Sequence, residues 1–111
     1  MLLDAIFGFS FSGAVRAPFD TILPKLRDAK LPLLSVDIPS GWNVEEGPGK
    51  SGADALQPDV LISLTAPKLC AQYFKGSAHY LGGRFVPPKL AEKYGFEQPA
   101  FAGAEQVVRL A

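Results

Sequence analysis

The chain has 111 residues, 48% of them hydrophobic, and its 11 lysines and arginines balance 11 aspartates and glutamates. That length fits one domain, residues 1–111, with a small core, and the charge balance leaves no basic footprint for nucleic acid or an anionic membrane. The single cysteine, Cys70, excludes an internal disulfide and a cysteine-based zinc site, and no apolar run nears the roughly 20 residues of a membrane span.

Residues 2–7 read as a strand, an apolar run whose one polar member is Asp4. The chain opens almost directly inside that strand, which implies residues upstream, and no basic leader marks a signal peptide. Residues 8–17 form a loop in which Gly8, Ser10, Ser12 and Gly13 alternate with Phe9 and Phe11. Pro18 suits a first helical turn, and Ile22, Leu23 and Leu26 mark the apolar face of a helix over 18–29. Pro24 interrupts that helix at a cost of roughly 3 kcal/mol and is expected to kink it.

A second strand over 32–37 ends at Asp37 and opens into a polar loop over 39–57 that holds Gly41, Gly47, Pro48, Gly49, Ser51 and Gly52. Loops of that length are uncommon in compact domains unless functional or mobile. A third strand follows over 60–64, and Thr65-Ala66-Pro67 predicts a capped helix to about Tyr73. His79-Tyr80-Leu81 and Arg84-Phe85-Val86 flank Gly82-Gly83 as a hairpin or one bulged edge strand. Lys89 to Tyr94 gives one or two helical turns, and the tail ends in the strand-like Gln106-Val107-Val108-Arg109-Leu110. The alternation of strands and helices predicts an α/β fold built on a mostly parallel sheet.

Two strand-borne carboxylates, each followed by small turn-forming residues, point to a site at the carboxyl edge of that sheet. Asp4 within an apolar strand needs a partner, because an isolated buried charge is prohibitive. A hard cation with oxygen ligands meets that need, and so does a hydrogen bond from a neighbouring loop. Asp37 reads either as an acceptor for a substrate hydroxyl or general acid/base, or as a local turn acceptor. Ile38-Pro39 fixes the direction of Ser40, which itself has a bland reading as a backbone partner.

The loop Gly8 to Gly13 lies where backbone amides hold phosphates, although its glycines do not follow G-x-G-x-x-G, and an ordinary strand-to-helix loop accounts for it equally well. His79 has no second ligand at metal spacing and reads as structural. Trp42 reads as a packing residue rather than a ring-stacking platform, and Cys70 as a small core hydrophobe; Lys68, at a helix start, reads as an anion contact or, more plainly, as a solvated surface lysine.

Taken in order, these segments resemble the C-terminal half of the NAD(P)H-hydrate epimerase family, the YjeF N-terminal domain, whose animal members are also called apolipoprotein A-I-binding protein. The resemblance runs through Asp4-Ala5-Ile6-Phe7-Gly8-Phe9-Ser10-Phe11 with Gly13, Val15, Arg16 and Pro18, then Val36-Asp37-Ile38-Pro39-Ser40-Gly41-Trp42. It continues in Gln57-Pro58-Asp59, Leu61-Ile62-Ser63-Leu64-Thr65-Ala66-Pro67-Lys68, and His79-Tyr80-Leu81-Gly82-Gly83-Arg84-Phe85-Val86-Pro87-Pro88.

The resemblance implies a Rossmann-like three-layer αβα sandwich whose N-terminal part is missing, in a family that is usually dimeric. It implies interconversion of the R and S hydrates of NADH and NADPH, alongside a separate dehydratase that restores the cofactor. Asp4 and Ser40 match potassium ligands, and Gly8, Phe9, Ser10, Phe11, Ser12, Gly13 and Ala14 match a segment that contacts the hydrated dinucleotide. Asp37 matches a substrate-binding aspartate and is the catalytic candidate. Mitochondrial or secreted localisation is implied, with the cytoplasm compatible, and association with apolipoprotein A-I is implied by the animal members. A binding protein without enzymatic activity and an inactive remnant are the rival readings.

The chain departs from the family pattern in three places. The segment N-N-G-G-D-G, which supplies a further potassium ligand and part of the substrate pocket, is not in the 111 residues. Ser12 stands where many relatives carry lysine or arginine, and Ala14 where an acidic residue is common. Pro24 inside the first helix is the third.

Overall fold

The computed structural model describes residues 1–49 and 55–111. Its element order is β1 (Leu2–Asp4), α1 (Phe19–Asp28), β2 (Leu33–Val36), β3 (Val60–Leu64), a 3-10 helix (Leu69–Tyr73), β4 (Ala78–Gly82), α2 (Pro88–Lys93) and β5 (Val107–Arg109). The five strands form one sheet in the order β1-β2-β3-β4-β5. The first four are mutually parallel and β5 runs antiparallel to β4. The mostly parallel α/β sheet is what the strand and helix pattern predicts, and its Rossmann-like form is what the family resemblance implies.

Because the strand order never reverses, right-handed connections put every parallel crossover on the same face of the sheet. The packing agrees. Leu33 of β2 is buried against Leu23 of α1 and Leu56, with Leu2, Ile6, Phe7, Val15 and Leu26 around them. A second cluster, Ile38, Trp42, Ala55 and Cys70 with Val44 and Phe74, joins the β2–β3 connection to the 3-10 helix. Burying each large side chain contributes about 1.5–3 kcal/mol. The alternate residues Leu34, Val36, Val60, Ile62 and Leu64 point the other way and are only half-buried, while Leu3 is 66% exposed.

Asp59 sets the register of the central pair: Leu33 donates its amide to Asp59 Oδ2 at 2.8 Å, and the Asp59 amide returns to Leu33 O at 2.8 Å. Pro24 lies inside α1, where it supplies no amide to the turn before it. The helix nonetheless runs on to Asp28, because Leu23 beside Pro24 is 1% exposed and anchors that face to the sheet.

Three expectations from sequence need correction. The first strand stops at Asp4 rather than residue 7, since Ile6 and Phe7 turn away to pack around Leu23. No helix starts at Thr65. Pro67 disfavours the helical region for Ala66, Lys68 is still extended at φ −81° and ψ 165°, and the helical turn that begins at Leu69 is 3-10. Gly82-Gly83 does not turn a hairpin. Ala78–Gly82 pairs in parallel with β3, and the antiparallel partner of its other edge is β5. Gly83 adopts φ +80°, and a Cβ there would collide with the Phe85 ring, so the chain folds back upon itself before Pro87.

Candidate functional site at the carboxyl edge of the sheet

Asp4 closes β1 opposite Ser35 in the neighbouring strand. Its side chain is fully buried. Oδ2 accepts hydrogen bonds from Ser35 Oγ and the Ser40 amide, each at 2.8 Å, and Oδ1 accepts from Ser40 Oγ at 2.5 Å. Asp4 therefore ties the end of β2 and the turn after it to β1. Ile38-Pro39 makes this connection short and directed, which is why the Ser40 amide and hydroxyl arrive together. Asp4 has no ion-pair partner among the described residues.

This donor set suits a hard cation. A carboxylate offers about four lone-pair sites and each hydroxyl two, so three hydrogen bonds leave acceptor capacity on Asp4 and Ser40. A buried charge held only by neutral donors also gains from a cation.

Asp37 follows the end of β2 and is 8% exposed. Its backbone is left-handed at φ +68°, and its amide donates to Ile62 O at 2.7 Å. Oδ1 accepts from Lys68 Nζ at 2.7 Å and, at 3.4 Å, from the Leu64 amide. Oδ2 faces Gly8, where a Cβ would lie 3.8 Å away, and it accepts no hydrogen bond from the described residues. Asp37 is thus a directed carboxylate with one oxygen held and one oxygen open toward the loop after β1.

That loop is organised by aromatic contacts. The Phe7 and Phe11 rings stack with centroids 4.2 Å apart, and Phe7 meets Phe19 edge-on at 5.2 Å. The Phe11 amide returns to Gly8 O, and Gly13 takes φ +84°, a conformation that glycine adopts without steric cost. Phe11, Ser12 and Gly13 line one wall of a cleft of about 200 Å³ that Gly41, Trp42 and Asn43 close from the other side. Among the described residues its lining has no lysine or arginine, and backbone amides of the Phe11 to Gly13 wall are the donors there for an anion. Arg16 lines the adjoining recess with Ser10 and Ser12.

The opposite wall is hydrogen-bonded into the core. Trp42, 2% exposed, donates Nε1 to Leu56 O at 2.7 Å, and the Leu56 amide bonds Ser40 O. Trp42 is a packing residue, as expected from sequence. Gly47 at φ +74° lies against Tyr73, whose ring a Cβ would meet at 2.5 Å. Ser51 and Gly52, which the sequence places in this same loop, lie outside the described residues.

Cys70 is buried in the second cluster, also as expected, and burial followed by the charge of Asp37 pushes its thiol up from the ordinary value. His79 is hydrogen-bonded to the buried Ser63 at 2.8 Å and lies beside Phe74, and burial pushes its imidazole down. Neither residue lines the cleft.

The structure thus brings together the turn that carries Asp37 and Ser40, the carboxylate of Asp4, and the Gly8 loop. Lys68 is the residue whose partner patterning does not reveal. It is no solvated lysine: its side chain is 20% exposed and bonds both Asp37 Oδ1 and Leu64 O. The local signal was a basic residue just beyond Ala66-Pro67 at a strand end, but nothing local tells that it reaches a carboxylate 31 positions earlier.

The family model for the YjeF-related protein N-terminus matches residues 1–70. The chain belongs to the YjeF-related N-terminal family. It is 54% identical over 110 residues to the NAD(P)H-hydrate epimerase of Aedes aegypti and 56% identical over 110 residues to that of Anopheles gambiae. Each alignment covers 99% of this chain and 47% of the mosquito protein. The crystal structure of yeast ynu0 superposes with a TM-score of 0.86 at 41% identity, covering 97% of this chain and 45% of that one. This YjeF-related chain therefore spans about half the length of the curated relatives it matches.

Proposed function

We propose that this chain carries the carboxyl-edge part of an NAD(P)H-hydrate epimerase site, acting in repair of hydrated nicotinamide nucleotides with a separate dehydratase. The observation that carries the proposal is the open Oδ2 of Asp37 facing the Gly8 loop. Relatives more than half identical bear that enzyme name, and a fixed carboxylate beside an amide-rich loop suits a substrate with a hydroxyl on its nicotinamide ring and a pyrophosphate.

In the proposed reaction Asp37 accepts the proton of the hydroxyl on the carbon beside the ring nitrogen. That oxygen collapses to an aldehyde as the carbon–nitrogen bond breaks, and the electron pair and a proton go to nitrogen. Reclosure on the opposite face of the aldehyde inverts the carbon, and the proton returns to the hydroxyl. No electron is gained or lost overall. Gly8, Phe9, Ser10, Phe11, Ser12, Gly13 and Ala14 would hold the dinucleotide, with Arg16 supplying the charge that Ser12 lacks.

Asp4 and Ser40 would hold a potassium ion, which would supply a fixed positive charge that orders the two loops. A homodimer, association with apolipoprotein A-I, and a mitochondrial or secreted location belong to the same reading through the family.

The test mixes purified protein with the R hydrate of NADH and a dehydratase specific for the S form, with potassium and with choline in its place. Faster loss of the R form than the spontaneous rate, increased by potassium, is the expected outcome. Loss at the spontaneous rate in both salts would show that this chain is not an epimerase.

A further inference from the structure

We propose that Lys68 is the positioning residue that makes Asp37 a one-sided carboxylate, engaging Oδ1 so that only Oδ2 is presented to the substrate. Three observations converge. Lys68 Nζ is 2.7 Å from Asp37 Oδ1 and 2.7 Å from Leu64 O, so the ammonium is fixed at two points rather than swinging on its stem. The Leu64 amide approaches the same Oδ1. Oδ2 accepts no hydrogen bond from the described residues and faces Gly8.

The backbone supports the same assignment. Among the described residues, three non-glycine residues have positive φ, and two of them, Asp37 and Thr65, directly follow the ends of the adjacent strands β2 and β3. Aspartate tolerates that region, but a β-branched threonine there is a true outlier. Thr65 sits at the centre of a three-residue turn closed by Ala66 N to Leu64 O at 2.7 Å. Together with Pro67, this turn redirects the chain so that Lys68 comes back over the end of β3. Left-handed backbone at Asp37 and in the turn that leads to its partner Lys68, at the sheet edge where ligands bind, is the pattern of a preorganised site. A carboxylate free to rotate would offer either oxygen. The pair removes that freedom before the substrate arrives.

The assignment rests on the epimerase reading for what Asp37 does, and on this geometry alone for the pair. The test compares the wild-type chain with Lys68→Met and Lys68→Arg in the coupled assay with the R hydrate. In parallel, it follows the Lys68 side-chain ammonium by nitrogen NMR in the wild type and in Asp37→Asn.

Expected are a kcat for Lys68→Met lower on the order of 100-fold, a KM within about twofold of wild type, and partial recovery of kcat in Lys68→Arg. The ammonium signal should exchange slowly with water in the wild type and be lost in Asp37→Asn. An unchanged kcat in Lys68→Met, or a fall matched by the loss of folded protein in a parallel melt, overturns the proposal. If the wild type itself shows no turnover, it is the epimerase reading that fails. The pair is then decided by NMR: slow, Asp37-dependent exchange sustains it, and fast exchange in the wild type overturns it.

Discussion

Asp4 and Asp37 lie at the same edge of the same sheet, on neighbouring strands, and the structure treats them in opposite ways. Asp4 is completely buried on ordinary strand backbone, and both its oxygens are occupied by uncharged donors from Ser35 and Ser40. Asp37 stands on left-handed backbone, with one oxygen held by a lysine and the other accepting nothing from the described residues. Burial alone would rank Asp4 as the more notable residue. An oxygen that accepts no hydrogen bond from the described residues, together with local strain, singles out Asp37, because a reacting carboxylate must keep one oxygen for its substrate while both oxygens of Asp4 help tie the end of β2 and its turn to β1.

The contrast can be broken most forcefully at Asp4. Asp4→Ala removes the shared acceptor of two hydroxyls and an amide, and leaving such buried groups unsatisfied costs about 1–3 kcal/mol each. The expected loss, about 3–5 kcal/mol, is a large fraction of the stability of a small domain. Urea denaturation should show a collapsed or absent folding transition. A midpoint unchanged from wild type would mean that the Asp4 network is not structural.

Asp37→Asn should cost less, about 1–2 kcal/mol. Asparagine tolerates left-handed backbone, and Lys68, being partly exposed, can move its charge to water. The same variant should abolish R-hydrate turnover while still folding, which separates the two carboxylates by function as well as stability. Retained turnover in Asp37→Asn would remove Asp37 from the proposed chemistry.

The Ser63–His79 pair, a third polar contact in the same sheet, gives a pH-dependent comparison. Burial holds the imidazole below its usual 6.5, so between that lowered value and 6.5 the unfolded chain binds more protons than the folded one. Stability should be full above 6.5, fall as pH drops through that window, and level off below it. Urea midpoints measured between about pH 8 and about pH 5, for wild type and for His79→Gln, check this. The variant should lose the part of the slope that belongs to His79, and an identical profile would show that the ring does not titrate differently on folding.

The smallest effect is expected at Thr65. Glycine adopts φ +68° freely, so Thr65→Gly relieves strain while adding freedom to the unfolded chain. The melting transition should shift by the equivalent of less than about 1 kcal/mol. A large destabilisation would mean that the threonine side chain, not its backbone, holds this turn.

Much of this was legible along the chain. The third strand was bounded correctly, the first helix to within a residue at either end, and the α/β class followed from the alternation of elements. Those features depend on periodicity and proline placement, which are local. Asp4 and Asp37 stood out because a carboxylate in or just after an apolar run is anomalous whatever surrounds it. Trp42 and Cys70 were placed in the core for the opposite reason, since they are hydrophobic and had no chemistry nearby in sequence.

Only the tertiary structure decided the rest. The partner of β4 could not be read from Gly82-Gly83, because a turn-like dipeptide does not reveal that a segment some 25 residues later completes the sheet. The pairing of Lys68 with Asp37 spans 31 positions and depends on a turn at Thr65 that threonine's own preferences oppose. Sequence fixes where charges lie along the chain and which residues seek burial. Which of two like carboxylates has both oxygens hydrogen-bonded and which has one left open depends on the groups that β2, β3 and their loops bring to it across space.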